Sequence, residues 1–156
     1  MWKYIAALAV VVGSVLLLRG SKLPQEYLPS HYQGTQESSV RVGGKCLKER
    51  CLTIYVAPWC KVCLQMHGTI VSMRQQLETE GVGVQVVAGM DKPPALVQYA
   101  QTFDQPVLLD VQGAFKKKAG IKAVPYFVVT NRKGEKLETA LGGYNDVGAM
   151  RSKLGL

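Results

Sequence analysis

The longest apolar run of the chain comes first. Trp2 to Leu18 is almost unbroken by polar residues, with Lys3 near its front and Arg19 and Lys22 just behind. At about 1.5 Å per residue, a helix of this length is close to the shortest that crosses a bilayer, with Trp2, Tyr4 and Arg19 at the interfaces. A cleaved signal has a similar apolar core, but it should end in small residues, and Leu16-Leu17-Leu18-Arg19-Gly20 is a poor site of that kind. Residues 1–19 are therefore expected to be an uncleaved anchor, with a cleaved signal as the alternative. Residues 20–44 lose sustained periodicity. Pro24, Pro29 and several Ser, Gln and Gly give this stretch the pattern of a tether, with one short extended piece at Val40-Arg41-Val42. A flexible chain of that length separates its ends by about 25–30 Å. His31 and Tyr32 fall in it and receive no role.

From residue 45 the pattern becomes that of one folded domain, 45–156. Leu52-Thr53-Ile54-Tyr55-Val56 reads as a buried strand. Val62, Met66, Ile70, Met73 and Leu77 recur at three- and four-residue intervals, which predicts one core-facing stripe of a long helix ending near Gly81. A bend is expected at Gly68. Val82 to Ala88 is a second strand, parallel to the first because a helix of crossover length joins them. Pro93 and Pro94 open a shorter helix through Leu96 and Tyr99, with Asp91 as its expected cap. Val107 to Asp110 is short and extended, and Phe115 to Lys118 is a helix that stops at Gly120. Tyr126 to Thr130 and Lys136 to Ala140 form a hairpin across Asn131-Arg132-Lys133-Gly134. Asp146 caps a last helix that carries Val147, Met150 and Leu154 to the core.

Composition narrows this little. An apolar fraction of 47% over 156 residues suits a single domain with a short appendage. The formal charge is +8, but the basic residues are scattered apart from Lys116-Lys117-Lys118. That pattern suits a solvated basic surface near anionic lipid. No helix carries a basic face with interleaved aromatics, so nucleic acid is not an expected partner.

The candidate chemistry lies in Ala57-Pro58-Trp59-Cys60-Lys61-Val62-Cys63, where strand turns into helix. A helix N-terminus offers free N–H groups and the positive end of the macrodipole, and both favour a thiolate at Cys60. Lys61 acts in the same direction. The two-residue spacing lets Cys63 reach back about one helical turn and resolve a mixed disulfide formed at Cys60.

Together with Gly120-Ile121-Lys122-Ala123-Val124-Pro125-Tyr126-Phe127 further along, and with Val107-Leu108-Leu109-Asp110 and Asn131-Arg132-Lys133-Gly134 around it, this motif resembles the thioredoxin superfamily. It is most similar to the membrane-tethered, thioredoxin-like oxidoreductases of the bacterial envelope. The resemblance implies an α/β thioredoxin fold with a central mixed sheet of about four strands flanked by helices. It implies Cys60 as exposed nucleophile and Cys63 as buried resolving thiol, with Pro125 cis and the Val124 backbone open to an extended substrate. Trp59 and Tyr126 are expected to form an apolar rim. Protein thiols and disulfides are the implied substrates, beside an upstream redox partner, with no metal or organic cofactor. The expected location is the inner membrane with the domain on the periplasmic side, or the periplasm after signal cleavage.

Other residues leave choices open. In an oxidising compartment Cys46 and Cys51 are expected to close a small loop as a structural disulfide; free thiols, an accessory redox pair and a four-cysteine zinc site are the alternatives. Met66 and His67 raise a soft copper site, with core packing of Met66 as the plainer reading. Relatives of the thioredoxin type often bury a carboxylate behind the resolving cysteine, whereas the matching positions here are Ile54 and Met66. Two function classes besides the oxidoreductase follow: a non-catalytic binding module with a stable Cys60–Cys63 disulfide, and a copper metallochaperone.

Overall fold

The structure, a computed structural model, describes residues 21–156; the anchor or signal expected at 1–19 lies outside them. Among the described residues no helix is long and apolar enough to cross a membrane.

The chain folds into one seven-stranded mixed sheet with helices on both faces. Its centre is β3 (Arg50–Val56), parallel to β4 (Gly83–Gly89) on one side and antiparallel to β6 (Tyr126–Asn131) on the other. Beyond β4 lies β5 (Val107–Asp110), and beyond β6 lies β7 (Lys136–Leu141). The helices are α1 (Lys61–Gln65), α2 (His67–Thr79), α3 (Pro93–Ala100), α4 (Ala114–Ala119) and α5 (Val147–Leu154). The period-2 alternation of the strands sorts the core into two clusters. Leu52, Ile54 and Val56 join Val86, Val107 and Phe127 under α2, α3 and α5. Tyr55 joins Val87, Leu108, Val128 and Phe115 on the opposite face.

The tether expected over 20–44 is corrected. Glu26–Tyr32 and Thr35–Val42 are strands β1 and β2 of a hairpin, and β1 pairs with β5 at Ser30–Leu108 and His31–Val107. The segment buries Leu23, Leu28 and Val42 in the second cluster and covers the edge that β5 would otherwise expose. Two features hid it from periodicity. The β1–β2 register shifts between Leu28 and Ser30, where Pro29 has no N–H to give to a ladder. The two-residue turn is Gln33-Gly34, with φ of 49° and 80°, and only its glycine is a usual signal for such a turn. With β5 and this hairpin, the expected sheet of about four strands grows to seven.

The remaining elements depart from expectation in detail. The long helix is interrupted at Met66, which caps both α1 and α2, two residues before the expected bend. Its buried stripe is Cys63, Met66, Ile70, Met73 and Leu77, while Val62 is exposed. The stripe begins at Cys63 because that residue shares the 3-4 spacing with those that follow, and Val62 is one position off it. Asp91 accepts from the Lys92 N–H rather than capping α3, whose N-cap is Lys92. Asp146 does cap α5, accepting from the Ala149 N–H at 2.7 Å. Gly120 ends α4 in the left-handed region.

One buried polar contact ties the sheet to α4. The Tyr55 hydroxyl donates to Asp110 Oδ2 at 2.8 Å, and Asp110 also accepts from the N–H groups of Phe115 and Lys116 at the start of α4. Burial and the neighbouring carboxylate push the Tyr55 phenol far above its ordinary range. A Cβ on Gly89 would overlap the Tyr55 hydroxyl, so only glycine leaves room for this contact. Tyr55→Phe leaves a buried carboxylate one donor short and should lower stability by about 1–3 kcal/mol. Urea denaturation should register that loss, while Tyr144→Phe, at an exposed phenol, should leave the midpoint unchanged.

Candidate functional site

The site sits where β3 releases its chain. After Val56 the backbone turns through Ala57-Pro58-Trp59, closed by the Cys60 N–H donating to the Ala57 carbonyl at 3.1 Å. Cys60 is the N-cap of α1, with extended dihedrals, and its Sγ accepts from the Cys63 N–H at 3.1 Å. A sulfur thus occupies the place where a Ser or Asp oxygen usually satisfies a helix N-terminus. Cys60 and Cys63 form a disulfide with Cα atoms 5.1 Å apart. Cys63 is fully buried as expected, but the exposure expected of Cys60 is corrected: joined to Cys63 and set against the Val124 carbonyl, it retains 5% of its surface.

Three neighbours define the approach to Cys60. The Val124 carbonyl oxygen lies 3.7 Å from Cys60 Sγ, and the Val124–Pro125 bond is cis. Trp59 leaves 57% of its surface exposed, yet its Nε1–H donates to the Met90 carbonyl at 2.8 Å. That bond fixes the indole as an apolar wall. Met90 holds a left-handed backbone, φ 62°, directly after β4, and nothing in the local sequence singled it out. Val62 and Leu64 on α1 are exposed apolar residues as well.

Tyr126 stands elsewhere. It pairs with Tyr55 across β3–β6, and the alternation turns its half-buried side chain onto the second cluster, on the face opposite Cys63. Burial raises its phenol pKa above the ordinary value. The Trp59–Tyr126 rim expected from the sequence is therefore corrected: Tyr126 packs on the other face, and of the two only Trp59 stands next to Cys60 with its indole exposed.

Behind Cys63 the wall is apolar, as Ile54 and Met66 predicted: both are buried in the same cluster as the two cysteines. The one buried carboxylate among the described residues, Asp110, is on the other face and held by Tyr55. Met66 and His67 point apart. Met66 is in the core, whereas His67 places Nε2 3.1 Å from the Thr102 carbonyl and its ring edge-on to Phe103.

The second cysteine pair is also joined. Cys46 and Cys51 close their loop with Cα atoms 5.8 Å apart. Cys51 is the second residue of β3 and Cys60 lies beyond its far end, so at about 3.3 Å per residue the two disulfides are roughly 20 Å apart and cannot exchange directly. The pairs share a strand but not a site.

Once reduced, Cys60 keeps the Cys63 N–H and the helix terminus as stabilisers of its thiolate, while Cys63 stays covered. At pH 6, iodoacetamide should therefore alkylate Cys60 about tenfold faster than an isolated cysteine, with Cys63 unmodified until the protein is unfolded; mass spectrometry of timed samples reads both.

Comparisons with known proteins come to the same fold. The family described as thioredoxin-like domain matches residues 44–155. A putative thiol:disulfide interchange protein DsbE from Chlorobium tepidum is 21% identical, with TM-score 0.65, covering 80% of this chain and 85% of that one. A putative thioredoxin from Neisseria meningitidis is 24% identical, with TM-score 0.64, covering 85% and 87%. StoA from Bacillus subtilis is 18% identical, with TM-score 0.61, covering 77% and 89%. No curated protein matches the sequence.

Proposed function

This chain belongs to the thioredoxin-like family, and from that premise we propose that it is an envelope thiol–disulfide oxidoreductase acting on protein cysteines through Cys60 and Cys63. The observation that carries the reading is the sulfur at the helix N-cap, accepting the Cys63 N–H beside the Val124 carbonyl. The Chlorobium neighbour, named as a putative thiol:disulfide interchange protein, points the same way.

In the reducing direction the Cys60 thiolate attacks a substrate disulfide, forming a mixed disulfide and releasing one substrate thiolate. Cys63 then loses its proton and attacks Cys60 Sγ. The second substrate thiolate leaves, and two electrons have passed from enzyme to substrate. In the oxidising direction each step reverses. With an apolar wall behind Cys63, its proton goes to the departing substrate thiolate or to water rather than to a buried carboxylate. Val124 and Pro125 offer extended backbone to the substrate chain, and the exposed Trp59 indole receives its apolar side chains. Tyr126 contributes packing on the other face.

The described chain also bears on attachment. Leu23 N–H donates to the Gly134 carbonyl, and Lys136 N–H to Ser21, so the segment that follows residue 20 is docked on the β6–β7 turn. That turn lies at the Arg50 end of β3, opposite Cys60. An anchor over 1–19 would then leave the reactive end facing away from the bilayer, held off by the height of the domain itself instead of by a flexible tether.

Reduction of a model disulfide protein tests the proposal. Cys60→Ser should abolish turnover, a loss of at least a thousandfold, and Cys63→Ser should accumulate a mixed disulfide at Cys60 that a non-reducing gel resolves. Retained partner capture with no exchange activity in the unmodified protein would instead identify a binding module.

A further inference from the structure

The Cys46–Cys51 pair opens onto a cavity of about 470 Å³ at the end of the sheet remote from Cys60, within the roughly 300–1,000 Å³ range of small-molecule sites. Arg41, Lys45 and Lys48 line it. The one acid in its wall, Glu78, is already paired with Arg74 at 3.3 Å. The cavity therefore presents three cations around a disulfide.

Both cysteines line this cavity. At Gly83, across the ladder from Cys51, an added Cβ would come within 2.9 Å of Cys51 Sγ. Gly83 lines the cavity with Cys51, so a side chain there would crowd that sulfur. Cys46 Sγ accepts the Lys48 N–H at 3.4 Å and also lies 3.1 Å from the Lys48 carbonyl oxygen, so as a leaving group it would draw its charge stabilisation from the cations around the cavity. A stapling disulfide requires neither the adjoining space nor the surrounding positive charge.

We propose that Cys46–Cys51 is a second exchange site, independent of Cys60, whose substrate is a low-molecular-weight thiol bearing carboxylates. The first thiolate attacks Cys51 Sγ, the Cys46–Cys51 bond breaks, and Cys46 leaves as thiolate. A second molecule attacks the sulfur of the first and releases Cys51. The two small thiols leave joined as a disulfide, the protein pair is reduced by two electrons, and solvent protonates whichever thiolates remain basic enough. Arg41, Lys45 and Lys48 hold the carboxylates during both attacks.

The test uses the full-length Cys60→Ser/Cys63→Ser protein, so that only the second pair reports and a failure here is distinct from failure of the Cys60 reading. Reduced glutathione and cysteamine are compared at equal thiolate concentration, and Cys46 and Cys51 are followed by alkylation and mass spectrometry under native conditions. Glutathione should react about tenfold faster at low salt, with the ratio falling toward one in 1 M salt and in Arg41→Gln/Lys45→Gln/Lys48→Gln. Gly83→Ala should slow both thiols. Equal rates for the two thiols, or a bond that neither reduces in the native protein, would overturn the proposal.

Discussion

Everything in the molecule hangs on β3 being paired along both edges and covered on both faces. From Leu52 to Val56 its side chains are buried alternately in two clusters, and its backbone groups are used by β4 and β6. Such a strand can present chemistry only at its ends, where the ladders stop. At the C-terminal end the chain turns into a helix whose third N–H, that of Cys63, donates to Cys60 Sγ. At the N-terminal end Cys51 is joined to Cys46 beside a cavity. The same buried strand that makes the core rigid also holds its two disulfides apart.

The two faces divide the work. Under α2, α3 and α5 the cluster around Cys63 is apolar, with Ile54 and Met66 at its back, so the Cys63 sulfur meets no acid. The opposite face carries the buried polar contact of Tyr55 with Asp110, which caps α4 and fastens that helix to the sheet. A carboxylate is thus present in the core, but as a structural acceptor on the wrong side of the sheet to take a proton from Cys63.

The N-terminal hairpin changes how an anchored domain would stand. A flexible stretch would let the reactive end wander; a hairpin paired with β5, preceded by residues docked on the β6–β7 turn, fixes the chain's point of arrival. The edge of β5 is closed by the same segment, which removes one surface for unwanted strand pairing.

Residues near one another in the chain made much of this legible beforehand. Strand β3, the helices starting at Pro93 and Asp146, the β6–β7 hairpin and the Cys60–Cys63 pair are all set by spacing, capping or turn chemistry within a few residues. What the sequence could not disclose depends on contacts distant in the chain. Pro29 interrupts the alternation of β1, so the hairpin is recognisable only through its pairing with β5. Met90 receives the Trp59 indole across 31 residues, and Tyr126 takes its face from its register against Tyr55. Local chemistry singled out Cys60 as the candidate sulfur, because a helix start and a two-residue spacing are short-range facts. The tertiary structure alone decided what surrounds it, because the sheet's pairing order and register assign each side chain its face and its neighbours.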